Sequence, residues 1–297
     1  MKRRHFLRTS VVSSLALAGS PSLFALEADN AFRKNIGLQL YTVRNAIKAD
    51  PNAAIKAVAA AGYHQGEMFG FPNCDPIITA AREHGLALHS THFEWDSVVN
   101  PKNKGFSDFK TILEKAKTTG LTHLVIPFLA DRNRVSLDEY KRVAAQANQA
   151  AAIAKDAGIQ LAYHNHSFEF KPFDGGTSGF DVFMAEFGPD MKFELDLFWV
   201  KLGGKDPAAL LAKLAGRVSQ VHLKDLKAGI EIPSYGNIPP DAFQELGDGI
   251  ISTEAMMKAA KAAGVVHCHV EQDQSPDAMA SIKQSMDYLR KLHLHKA

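Results

Sequence analysis

From Asn35 onward the chain repeats one unit eight times: a short apolar stretch followed by an amphipathic helical pattern. The apolar stretches run Ile36 to Thr42, Tyr63 to Phe69, Leu86 to His92, His123 to Phe128, Ile159 to Tyr163, Lys192 to Leu197, Ser219 to Leu223 and Val265 to Glu271. Helical patterns follow at about Pro51–Ala61, Asp75–His84, Phe106–Thr119, Ser136–Ala157, Phe180–Phe187, Pro207–Ala215, Thr253–Ala263 and Pro276–Leu292, and several close on a glycine, as at Gly62, Gly85 and Gly120. Eight strand–helix units in about 260 residues are what a closed parallel barrel requires. The expected fold class is therefore α/β, a single-domain (β/α)8 TIM barrel over residues 29–297. An open doubly wound sheet would announce itself with a Gly-rich phosphate loop after the first strand, and QLYTVRN is nothing of the kind.

Residues 1–28 stand apart from this pattern. Lys2, Arg3 and Arg4 precede an apolar run from Val11 to Leu17 and then small residues, the layout of an export signal peptide. The run is too short to span a bilayer, so no stable membrane anchor is expected. KRRHFLR resembles the twin-arginine export signal, which implies a periplasmic location.

Composition excludes some function classes. Net charge is +2, spread along the chain, which argues against nucleic-acid binding. Two scattered cysteines, Cys74 and Cys268, rule out a disulfide scaffold and a thiolate zinc cluster.

Polar residues then gather at the carboxyl ends of the last four strands, the end where such a barrel carries its site. LAYHNHSFEF brings His164, Asn165, His166 and Glu169 together within six residues. Glu194 and Asp196 share one face of the sixth strand, His222 and Lys224 one face of the seventh, and His267, His269 and Glu271 one face of the eighth, by the two-residue period of a strand. Glu169, Asp196, His222 and Glu271 are the expected ligands of one divalent ion. Three carboxylates and an imidazole suit manganese, magnesium, cobalt or zinc.

QLYTVR (39–44), YHNHSFEF (163–170), ELDLFWV (194–200), VHLKD (221–225), LGDGII (246–251) and HVEQD (269–273) together resemble the sugar phosphate isomerase/epimerase superfamily, xylose-isomerase-like barrels that include inosose dehydratases and ketose 3-epimerases. The resemblance spans essentially the whole chain after the signal segment. It implies the same four ligands, with His164 or His166 as an alternative first ligand that would leave Glu169 as the base. It also implies proton abstraction next to the carbonyl of a ketose, inosose or keto-glycoside through a metal-stabilised ene-diolate. Glu169 and Glu271 would act as acid and base across the substrate, with Lys224 beside the carbonyl oxygen. One site of this kind supports epimerisation, isomerisation and dehydratase or lyase chemistry. His92, His164, His166 and Trp199 are candidate substrate contacts. The expected partner is a small sugar or cyclitol, and a homo-oligomer is allowed. The competing readings are an exported sugar-binding protein without chemistry and an endonuclease of the same barrel type, the latter opposed by the charge balance.

Overall fold

A computed structural model describes residues 32 and 36–292; the proposed signal segment lies outside the described residues. Eight parallel strands close into a barrel: β1 (Ile36–Gln39), β2 (Gln65–Phe71), β3 (Ala87–Phe93), β4 (His123–Ile126), β5 (Gln160–His164), β6 (Met191–Asp196), β7 (Val218–Leu223) and β8 (His267–Val270). Each strand pairs with its neighbours in sequence, and β8 closes on β1 with His269 opposite Gly37. A two-stranded antiparallel ribbon, Asp225–Leu226 with Phe243–Gln244, sits in the loop after β7. Among the described residues no helix is long and apolar enough to cross a membrane.

Helices begin where the sequence supplies caps. Asp50 accepts from the Ala53 amide with Pro51 at the first helical position, and Ser178 with Asp181 forms a reciprocal capping box. Two boundaries depart from the sequence reading for the same reason. Leu197 opens the helix Leu197–Leu202 rather than ending β6, because Asp196 leaves the strand and caps the Trp199 amide at 3.0 Å. Phe106 lies outside the helix Phe109–Thr119, whose cap is Asp108, and this frees Phe106 for the rim.

The apolar core lies between the barrel wall and the helices, where Phe193 and Leu195 of β6 and Val221 of β7 are fully buried. The barrel lumen is unusually polar. Branched apolar side chains usually fill it, yet here Gln39, Glu67, Ser90, Glu194, Gln220, His222 and His269 are completely buried. Gly37 makes room for this packing: a Cβ there would stand 2.5 Å from His269 Cδ2. Below that layer the rings of His89 and His267 stack at 3.9 Å.

Candidate active site

At the carboxyl ends of β5 to β8, His164, Asp196, His222 and Glu271 each offer one donor atom within 4.8 Å of the others, and all four are buried. Strand register puts them there, since Asp196 lies opposite His222 across the β6–β7 pair and His164 opposite Glu194 across β5–β6. His222 Nδ1 lies 2.8 Å from Glu271 Oε2. Asp196 Oδ2 has no hydrogen-bond partner of good geometry; it faces Lys224 Nζ at 3.0 Å, and His164 Nε2 and His222 Nδ1 at 3.8 Å each.

Two carboxylates deeper in the lumen orient the histidines. Glu194 Oε2 lies 3.0 Å from His164 Nδ1, and Glu67 Oε2 lies 2.6 Å from His222 Nε2. An imidazole that gives one N–H to a carboxylate presents the lone pair of its other nitrogen, as metal-binding histidines do. The other nitrogen of each ring then faces the rim carboxylates, His164 Nε2 toward Asp196 and His222 Nδ1 toward Glu271 and Asp196. Gln220 and Ser90 hydrogen-bond Glu67 in turn, and Gln220 also donates to Glu194.

The electrostatics call for a cation. Burial pushes the Asp196 carboxyl up to about 6 against the pull of Lys224 and His222. Burial also opposes the charged forms of Glu194 and Glu271. Neighbouring histidines hold Glu194 well below the usual carboxylate range, and Lys224 with His222 does the same for Glu271. Burial would lower His222, but Glu194, Glu271 and Glu67 hold it well above its ordinary value. Burial takes His164 down to about 3, which keeps the imidazole neutral. Two imidazoles and two carboxylates with oriented supporting carboxylates fit a divalent ion.

A cavity of about 590 Å³ opens above these groups, with His92, His164, His166, Lys224, Glu271 and Asp273 among its lining residues. Lys224 stands among three carboxylates, 2.6 Å from Glu271, 2.8 Å from Asp273 and 3.0 Å from Asp196, which raise it well above its ordinary value although burial opposes the charge. Its neighbour Asp225 is turned the other way, collecting the backbone amides of Leu226, Gly247, Gly249 and Ile251. The LGDGII segment wraps this carboxylate.

The structure does not bring Glu169 to the cluster. It lies on the helix side of the wall, where Tyr163 Oη donates to its Oε1 at 2.6 Å and the His166 amide to its Oε2 at 2.8 Å. Tyr163 faces Phe183 there, so the side that His164 occupies inside the lumen is closed to Glu169. His164, the alternative first ligand, stands in the cluster where Glu169 was expected, and Glu169 does not face the cavity. Trp199 does not line the cavity; it packs on His166, Phe198 and Phe243. His92 and His166 do line it, His92 also lying 3.0 Å from Glu194. Sequence reasoning assigned no role to Glu194, although its place two residues before Asp196 puts both on the inward face.

A closed eight-stranded parallel barrel with its polar cluster at the carboxyl ends of the strands defines the (β/α)8 class. Residues 55–292 match the family described as the xylose isomerase-like TIM barrel, and the chain belongs to that family. It is 27% identical over 129 residues to an inosose dehydratase of Clostridium beijerinckii, covering 41% of this chain and 42% of that one, so it spans less than half the length of that relative. Against the inosose dehydratase of Mesomycoplasma hyopneumoniae strain J, identity is 23% over 267 residues, covering 80% and 87%. A sugar phosphate isomerase/epimerase from Parabacteroides distasonis superimposes with a TM-score of 0.69 at 24% identity, over 88% of this chain and 99% of that one. The IOLI protein, solved with a bound zinc atom, gives 0.63 at 14% identity, over 86% and 95%. At these identities the two solved structures speak for the fold.

Proposed function

We propose that the protein is a divalent-metal-dependent enzyme that removes the proton beside the carbonyl of a keto sugar or ketocyclitol and expels a β-oxygen substituent, a dehydratase or lyase reaction. The observation that carries this reading is the paired orientation of His164 and His222, each tied through one ring nitrogen to a lumen carboxylate and aiming the other at Asp196 and Glu271. His164, Asp196, His222 and Glu271 would hold the ion. When bound there, it supplies a Lewis acid that polarises the carbonyl and stabilises the charge developing as the proton leaves.

The chain's own groups do the rest. Lys224 keeps its proton on Nζ and offers it as a hydrogen bond to a substrate oxygen at the cavity floor. His166 lines the cavity beside Lys224 and Glu271, and its imidazole is the group placed to take the C–H proton. That proton can pass to the departing oxygen on the same face, so one base suffices for elimination. Glu169, the carboxylate expected to oppose Glu271 in an epimerisation, is engaged by Tyr163 on the helix side of the wall, which favours elimination. The inosose dehydratase names of the matched relatives accord with elimination. The N-terminal segment fits export by the twin-arginine route, where free or oxidised glycosides rather than phosphates would be met; processing of the chain in a periplasmic fraction tests this.

The deciding experiment is metal analysis of purified protein together with solvent-deuterium exchange on inososes, ketoses and 3-keto-glycosides. Stoichiometric metal with exchange and loss of the β-substituent is expected. Absence of both metal and exchange would leave a sugar-binding protein.

A further inference from the structure

The cavity is divided into two unlike halves. Strands β5 to β8 supply its polar side, with His164, His166, Lys224 and Glu271. Strands β1 to β4 and their loops supply an aromatic side: Tyr41 and Phe69 meet edge-to-face at 5.6 Å, Trp95 and Phe128 at 6.2 Å, and Phe106 stands on the rim. Tyr41 and Phe106 are each 42% exposed, apolar area that the fold itself leaves in water.

This wall is prebuilt. Glu94 accepts from Asn73 and from the Ser107 amide, and Asp96 holds Asn100, Asn103 and Arg132, so the segment carrying Trp95 and Phe106 is tied at both ends. The charged residues on this side are engaged already: Asp96 pairs with Arg132 at 2.5 Å, and Glu94 accepts from Asn73 and the Ser107 amide. They leave few groups for the hydroxyls of a second sugar. A hydroxylated ring alone would use only the polar half of a cavity whose volume lies in the ~300–1,000 Å³ range of sites for drug-sized ligands.

We propose that the substrate is a keto sugar bearing an aromatic substituent, an oxidised aryl glycoside. Its hydroxylated ring sits on the polar side and its aryl group against Phe69, Trp95, Phe106 and Phe128. The placement of the keto ring rests on the function proposed above, and the aryl preference rests on the aromatic wall. Flat apolar groups packed against such rings gain both buried area and aromatic contact.

Isothermal titration of the metal-loaded protein with 4-nitrophenyl 3-keto-β-glucoside and with its methyl counterpart reads the preference directly. The aryl ligand should bind about tenfold more tightly. Phe106→Ala, at an exposed rim position, and Phe69→Ala should each narrow that ratio while leaving the methyl ligand's Kd unchanged. Equal affinities, no measurable aryl binding, or a ratio untouched by both substitutions overturns the proposal. Deuterium exchange on the same ligands keeps the two readings separate. Exchange into both with no aryl preference sinks the aromatic site and spares the reaction; aryl preference without exchange does the reverse.

Discussion

The Tyr163 hydroxyl donates to Glu169 Oε1 across 2.6 Å on the helix side of the barrel wall, while the next residue, His164, points into the lumen. Glu169 is therefore a structural carboxyl. Glu169→Gln should keep bound metal and turnover. Burial pushes its carboxyl from 4.5 up to about 8, so the folded state holds that proton more tightly than the unfolded chain does. The resulting stability is fully present below the unfolded pKa and is lost as pH rises through about 8. Thermal melts across that window should show a smaller loss on raising pH in the glutamine variant; an unchanged pH profile would contradict this.

Metal content should follow the geometry. His164→Ala and Asp196→Ala should strip bound divalent metal, and Glu194→Gln, acting through His164, should weaken its affinity about 10–100-fold. Elemental analysis and a competition titration with a chromogenic chelator check this. Full occupancy in His164→Ala would return the first-ligand question to another residue.

Lys224 stands among three carboxylates, Asp196, Glu271 and Asp273. Lys224→Met keeps the length of the side chain and removes its charge. Activity should fall by about 10²–10³, the usual range for the loss of one donor aimed at developing negative charge. The metal-free protein should also lose about 3–5 kcal/mol, because carboxylates lose a buried counter-ion. Single-turnover kinetics and denaturant unfolding with a chelator present separate the two effects.

Asp225 organises the long loop after β7 through four backbone amides. Asp225→Asn leaves one acceptor oxygen for them, and each amide left unsatisfied costs about 1–3 kcal/mol. Gly249→Ala should act on the same contact, since its Cβ would meet Asp225 Oδ1 at 2.3 Å. Lowered unfolding midpoints with unchanged metal content are expected in urea titrations. A normal midpoint in both variants would show that the loop is held by other contacts.

The amino-acid sequence alone determined the eightfold alternation, and with it the closed parallel barrel. It also determined the inward side of Asp196, His222 and Glu271, because a strand's two-residue period assigns a side chain's face before any partner is known. That period ends at His164. Beyond it the chain enters a short helical turn, Phe168–Phe170, and nothing local says whether Glu169 or His164 reaches the lumen. The Tyr163 hydroxyl and the His166 amide decided it, by satisfying on the outer side a carboxylate that would otherwise be buried without partners. Tertiary structure also decided the aromatic wall. Its rings come from four separate strand ends, each a single unremarkable Phe, Tyr or Trp in sequence, and only closure of the barrel brings them to one side of the cavity.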